Sequence, residues 1–190
     1  MQKGDYFDTI LRSDKTVFTF RDMALLWQDD STDTARVRLN YYVRKGALHR
    51  IRRGIYVKDK SYNKLELATR IFTPSYVSFE TALAQEGLIF QYQEVITVAS
   101  YLTRSITIDK QIYEFRKIKD TILTNATAIE QTHNVSIATK ERAFLDMLYS
   151  STDYHFDNLR SIDWEKISQL LPLYQNKRLE KKVRSLMKDR

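Results

Sequence analysis

Cysteine is absent from the 190-residue sequence, and proline and glycine are scarce, with two and four residues respectively. Without cysteine, disulfide bonds and thiolate metal sites are excluded. No apolar run approaches the roughly 18 residues that a membrane-spanning helix needs, and the first residues are polar, unlike those of a secretory signal. We therefore expect a soluble, globular, cytoplasmic protein that makes no contact with a membrane.

Acidic residues are missing from one long window, residues 36–58, although this window contains eight Lys and Arg residues. A second basic stretch begins at Lys177, whereas residues 61–175 contain 11 Lys and Arg against 14 Asp and Glu. The net charge of +7 is thus concentrated in two blocks around an acidic middle. A concentrated basic block is typical of a nucleic-acid-binding surface.

The first 60 residues predict a winged helix-turn-helix. Apolar periodicity predicts helices over residues 5–11, 20–28 and about 33–45, and Thr19 is placed as the N-cap of the second. Gly46 is placed to end the third helix with a left-handed backbone. Residues 48–57 alternate, and Gly54 lies in a tight turn between two short strands. Three helices followed by a hairpin give the winged-helix order.

Residues 61–190 predict a mixed α/β domain with C-terminal helices, after a linker at 58–63. Helices are expected over 63–72, 80–86, 138–149, 163–171 and 177–187, and strands over 76–78, 95–100, 105–108 and 112–118. Residues 119–136 receive no assignment. The expected core of this domain contains Leu65, Val77, Val98, Phe115, Phe144 and Leu148. The predicted fold class is therefore α/β (α+β), with domains over residues 1–60 and 61–190.

Candidate DNA-reading residues lie on the third helix, opposite its apolar face. Arg38 and Arg44 can each form two hydrogen bonds with guanine, and Asn40 can do so with adenine. Val37 is an apolar residue on a wet face, where a thymine methyl group would give it a partner. The predicted DNA-contacting residues of this helix are Thr34, Val37, Arg38, Asn40, Tyr41, Arg44 and Lys45.

The hairpin after this helix is the second candidate DNA contact. Its turn is expected to meet phosphates or the minor groove, through His49, Arg50, Arg52 and Arg53. Helix and hairpin together favour binding of double-stranded DNA over a basic surface that is merely solvated. The basic residues of the closing helix, Lys181, Lys182 and Arg184, are instead expected to form a solvated face.

Catalysis has poor candidates, and we expect no enzyme, no cofactor and no metal site. The main alternative is a DNA-binding module fused to a metal-dependent nuclease-like domain, which would need clustered carboxylates near a lysine. The candidates are Glu94, Asp109, Glu114 and Lys117. Glu114 and Lys117 fall on opposite faces of a strand. The three histidines, His49, His133 and His155, lack metal-ligand spacing. A third class, a module that binds only protein, is disfavoured by the acid-free window.

Three stretches of the chain resemble AbiEi-family antitoxins, in the order and rough spacing of that family. They are YVRKGAL at 42–48 with RIRRGIYV at 50–57, YVSFETAL at 76–83, and IATKERAFLD at 137–146. The last stretch departs from many members at Ala143, Phe144 and Leu145, where the family usually has smaller aliphatic residues. Together the three stretches extend the resemblance over most of the chain.

The resemblance implies an antitoxin of a type IV toxin–antitoxin system. Such a protein represses its own operon by binding operator DNA, with inverted repeats, through its winged helix. Its partner gene encodes a nucleotidyltransferase-like toxin, which it neutralises without a direct complex. Glu80, Glu141 and Arg142 recur in the matching motifs, and we expect them to form a buried ion pair that holds a helix to the sheet rather than to perform chemistry.

Overall fold

The computed structural model describes residues 5–28, 31–91, 94–151 and 153–188. The chain divides into two compact units between Ile71 and Phe72. Each unit has its own cluster of buried apolar side chains. Across the described ranges, no helix has both the length and the apolar composition needed to cross a membrane.

The first unit has the winged-helix order of elements. Its helices are α1 (Asp5–Arg12), α2 (Phe20–Trp27), α3 (Thr32–Arg44) and α4 (Lys64–Ile71), and its strands are β1 (Val17–Thr19), β2 (His49–Arg52) and β3 (Ile55–Val57). The three strands form an antiparallel sheet in the order β1-β3-β2. Strands β2 and β3 are the hairpin, or wing. The predicted winged helix-turn-helix is thereby confirmed as the fold of this unit.

Local hydrogen bonds explain where the helices of this unit begin and end. The Thr19 hydroxyl accepts from the backbone N–H of Asp22, and the Asp22 carboxylate accepts from the backbone N–H of Thr19. This reciprocal cap starts α2 where the sequence predicts it. After the C-terminal end of α3, Gly46 has φ +71°, a backbone angle that glycine adopts without steric cost. The chain turns there towards the wing.

The division into compact units falls after residue 71 rather than at the predicted residue 60, so α4 lies in the first unit. One Glu66 carboxylate oxygen, on α4, accepts hydrogen bonds of 2.9 and 2.7 Å from the backbone N–H and the hydroxyl of Thr16. Leu65 therefore lies outside the second unit, and it is only half-buried. The pairing joins residues fifty positions apart, which periodicity within α4 cannot reveal.

The second unit is a mixed α/β domain, as predicted. Its strands are β4 (Ser75–Val77), β5 (Val95–Ser100), β6 (Arg104–Ile108), β7 (Gln111–Lys117), β8 (Ile129–Thr132) and β9 (Val135–Ala138). They form one sheet in the order β6-β7-β5-β4-β9-β8, with β4–β9 and β5–β7 parallel. Its helices are α5 (Phe79–Gln85), α6 (Asp120–Leu123), α7 (Lys140–Ser150), α8 (Trp164–Leu170) and α9 (Lys177–Lys188), with a short 3₁₀ turn at Leu171–Tyr174.

The core of this unit contains most of the residues that the sequence predicts. Val77, Val98, Phe115, Phe144 and Leu148 are fully buried. The unassigned stretch 119–136 forms α6, all of β8 and the start of β9. Strands β8 and β9 form a hairpin that extends the sheet beyond β4. The stretch is therefore part of the fold of the second unit.

Candidate nucleic-acid interface

Helix α3 is held to the core of the first unit along one face. Ala35, Leu39 and Tyr42 are buried on that face. The side chain of Ser31 caps the helix by accepting from the backbone N–H of Asp33. A helix fixed in this way presents its opposite face to solvent with a defined orientation, as a groove-reading helix requires.

The outermost residues of α3 match the sequence prediction. Val37 is 71% exposed and Tyr41 is 48% exposed, and Thr34, Asn40, Arg44 and Lys45 are also exposed. The Lys45 ammonium lies 5.8 Å from the centre of the Tyr41 ring. An exposed valine gains nothing from folding, so its placement here is compatible with contact to a base methyl group.

Arg38 is an exception among the predicted residues, because it does not point straight outward. Its guanidinium carbon lies 3.5 Å from the centre of the Tyr6 ring and 5.2 Å from that of Trp27. The side chain is half-buried. On a helical wheel Arg38 lies beside Tyr42 at the edge of the core face. Helices α1 and α2 pack against that edge, and their aromatic rings attract the Arg38 guanidinium.

Arg36 is the residue that the sequence analysis missed. It lies on the other flank of α3, exposed, beside a groove between the helix and the wing. The side chains that line this groove, hereafter the helix–wing groove, are Phe20, Arg36, Leu39, Asn40, Arg50, Arg53 and Tyr56, together with Gly54. The acid-free window was a usable signal for Arg36, because Arg36 is its first residue.

The wing has a tight tip that fixes the direction of its arginines. Gly54 in the turn has φ +81°, and its carbonyl accepts a 3.1 Å hydrogen bond from the backbone N–H of Phe20. The register of β2 against β3 shifts between Arg50 and Arg52. As a result Arg50 and Arg53 are exposed at the groove, whereas Arg52 is half-buried; His49 is exposed at the start of β2.

The electrostatic surroundings of the helix–wing groove are positive. Within the described residues, Arg44, Arg50 and Arg53 form no ion pair, and Arg36 has only an exposed 3.4 Å pair with Asp33. Burial would raise the pKa of Asp22, but hydrogen bonds from Lys15 and Thr19 outweigh it, so its pKa is lowered. Because the Asp22 carboxylate is bound by Lys15 and Thr19, it does not neutralise the arginines beside the helix–wing groove. These arginines are available to an anionic ligand.

The charged residues of the second unit are arranged differently. Arg142 and Asp146 on α7 are completely buried and lie 3.5 Å apart. Asp146 accepts hydrogen bonds from the hydroxyls of Tyr76, Ser78 and Tyr174 at 2.9, 2.7 and 2.7 Å. Burial raises the pKa of Asp146, while Arg142 and these donors act against the rise. Arg142 also donates to the Ile122 and Thr127 carbonyls at 2.7 and 3.0 Å.

The prediction that Glu80, Glu141 and Arg142 form a buried ion pair is wrong in its partners. Arg142 pairs with Asp146 on its own helix, and only Glu80 joins a helix to the sheet, through a partly buried pair. Glu80 on α5 pairs with Arg116 on β7 at 2.9 Å, and Glu114 contacts the same guanidinium at 2.7 Å. Glu141 is buried and accepts from the backbone N–H of Asp163. Each of these carboxylates has a structural partner. In the part of the chain that the structure describes, no three His, Cys, Asp or Glu residues are grouped as metal ligands.

No protein-family model matches the chain, and no curated protein matches it. Function therefore has to be inferred from the fold and from the helix–wing groove. The fold is a winged helix joined to a mixed α/β unit, and the groove is an exposed, cationic surface on the winged helix.

Proposed function

We propose that the chain is a cytoplasmic, DNA-binding autorepressor and antitoxin of a type IV toxin–antitoxin system, as its resemblance to the AbiEi family implies. In this proposal it binds double-stranded operator DNA, neutralises a nucleotidyltransferase-like toxin without a direct complex, and performs no catalysis. The observation that supports DNA binding most directly is the helix–wing groove. It combines exposed arginines from two elements with an amide side chain, and none of the described residues that line it is acidic.

Base reading and phosphate binding are divided between the two sides of this groove. Arg36 and Asn40 lie four positions apart on α3 and can contact base edges in the major groove. Arg50 and Arg53 lie on the wing, where contact with phosphates fixes the register of the helix on the duplex. Val37, Tyr41 and Arg44 complete the surface that faces DNA.

The test is a salt titration of DNA binding by the full chain. Replacing Arg50 and Arg53 with Gln removes two phosphate contacts, so the slope of log affinity against log salt falls by about 0.9 for each. Lys166→Gln/Arg160→Gln is the matched control, because both residues are exposed in the second unit. An unchanged slope in the wing variant would contradict DNA binding through the wing.

The antitoxin role is tested with the same wing variant. Cells express the adjacent toxin gene from an unrelated promoter, and growth is measured with parent protein or variant. If neutralisation belongs to the second unit, both proteins restore growth, whereas only the parent represses a reporter behind the native promoter. A parent protein that fails to restore growth would contradict the antitoxin assignment while leaving DNA binding intact.

A further inference from the structure

Four cations form a straight line on the last helix, α9. Lys177, Lys181, Arg184 and Lys188 are all exposed, and their spacing of four, three and four residues places them on one face of an α-helix. We name these four residues the α9 stripe. At 1.5 Å per residue it is about 16 Å long. Within the described residues, none of the four forms an ion pair.

The scaffold beneath the stripe is firmly held. Leu179 and Val183 are buried on the opposite face of α9. The Asn176 side chain accepts from the backbone N–H groups of Arg178 and Leu179 at 3.0 and 3.1 Å, which caps the helix. The stripe therefore lies on a capped helix that is packed against its own unit.

Helix stability accounts for only part of the stripe: Glu180, which lies three residues after Lys177 and four before Arg184, offsets some of its repulsion. Like charges at i,i+3 and i,i+4 repel one another and destabilise a helix by a few tenths of a kcal/mol per pair. Lys177 also lies in the first turn, where the helix dipole disfavours a cation. Only Arg184 and Lys188, near the C-terminus, gain from the dipole. An external anion would offset this repulsion.

We propose that the α9 stripe is a second DNA contact, which binds the phosphate backbone of a duplex independently of base sequence. Phosphates recur at regular intervals along each strand, and a straight row of cations complements that regularity. The stripe contains no aromatic or amide side chain, and three of its four residues are lysines, which bind phosphate as point charges. Contacts of this kind position a protein on DNA without adding specificity.

Two other anionic partners fit the stripe less well. An amphipathic helix binds a membrane by inserting its apolar face, and the apolar face of α9 is buried in its own unit. Protein–protein interfaces are enriched in arginine and aromatic residues and depleted in lysine. Three of the four stripe residues are lysines, which bind phosphate as point charges.

The test compares two quadruple variants of the full chain on a random-sequence duplex. In one, Lys177, Lys181, Arg184 and Lys188 become Gln. In the other, Arg104, Lys117, Arg160 and Lys166 become Gln, which gives the same net charge from dispersed exposed positions. We expect the stripe variant to lower the slope of log affinity against log salt by about 2 to 4, since each phosphate that is no longer neutralised lowers it by about 0.9. The control should change the slope little.

Equal slopes in the two quadruple variants would overturn the proposal, because only long-range charge would then matter. The proposal rests on DNA binding, so both variants are also made in the Arg50→Gln/Arg53→Gln background. If the winged-helix assignment is wrong, the wing substitutions leave the slope unchanged while the stripe variant still lowers it. If the stripe assignment is wrong, the wing substitutions alone lower it.

Discussion

Arginines of the two units differ in what surrounds them. Arg50 and Arg53 of the first unit are exposed and, among the described residues, form no ion pair. Arg142 of the second unit is completely buried, donates to Tyr76, Ile122 and Thr127, and lies beside Asp146. A buried arginine with all these partners stabilises a fold, whereas exposed arginines beside a groove are available to a ligand. Exposure and the lack of an ion pair therefore make Arg50 and Arg53 candidate binding residues, whereas Arg142 belongs to the framework of its unit.

The largest effect is expected at Arg142. Arg142→Met leaves the buried carboxylate of Asp146 without its cation, and breaking a buried pair in this way costs about 3–5 kcal/mol in the free energy of unfolding. Chemical denaturation of the full chain measures this decrease. Arg160→Met, at an exposed position, should change stability by less than about 0.5 kcal/mol. A decrease below about 1 kcal/mol for Arg142→Met would mean that the buried network is dispensable.

Smaller effects are expected on the two flanks of α3. A substitution on one flank should reduce discrimination between DNA sites, and a substitution on the other should reduce stability. Arg36→Ala should cost about 1–3 kcal/mol of discrimination between operator and mismatched sites and leave the melting temperature unchanged. Arg38→Ala removes the guanidinium from above the Tyr6 ring, which should lower the stability of the first unit by about 1–2 kcal/mol. Gel-shift titration and thermal unfolding separate the two. If Arg38→Ala relaxes specificity without a decrease in stability, Arg38 is the base reader that the sequence predicts.

The smallest effect concerns the pH dependence of the first unit. The pKa of Asp22 is lowered in the folded protein, so its ionised form stabilises the fold above the unfolded pKa of about 3.9. This contribution disappears as the pH falls through the folded-state value. We expect Asp22→Asn to flatten the dependence of the unfolding midpoint on pH below about 4. The same slope in parent and variant would show that other carboxylates govern it.

Sequence reasoning succeeded where the cause of a structure is local. Thr19 and Gly46 mark the ends of their helices through hydrogen bonds and backbone angles within a few residues. The β8–β9 hairpin was missed because its turn contains His133 and Asn134, with φ of +48° and +64°, instead of the glycine that usually signals such a turn.

Long-range packing accounts for the remaining differences between prediction and structure. The hydrogen bonds between Glu66 and Thr16 hold α4 to the first unit, and no pattern within either segment predicts them. A helical wheel also treats every residue opposite the core as equally outward. The wing packs beside one flank of α3 and α1 beside the other, which is why Arg36 was missed and Arg38 was placed too far outward.

Amide NMR spectra of the full chain would show whether a duplex binds the helix–wing groove of the first unit. On addition of a short operator duplex, we expect the largest shifts at residues 34–45 and 49–54, smaller ones along α9, and none around Arg142 and Asp146. Shifts confined to the β4–β9 sheet, or no shifts at low salt, would contradict binding at this groove.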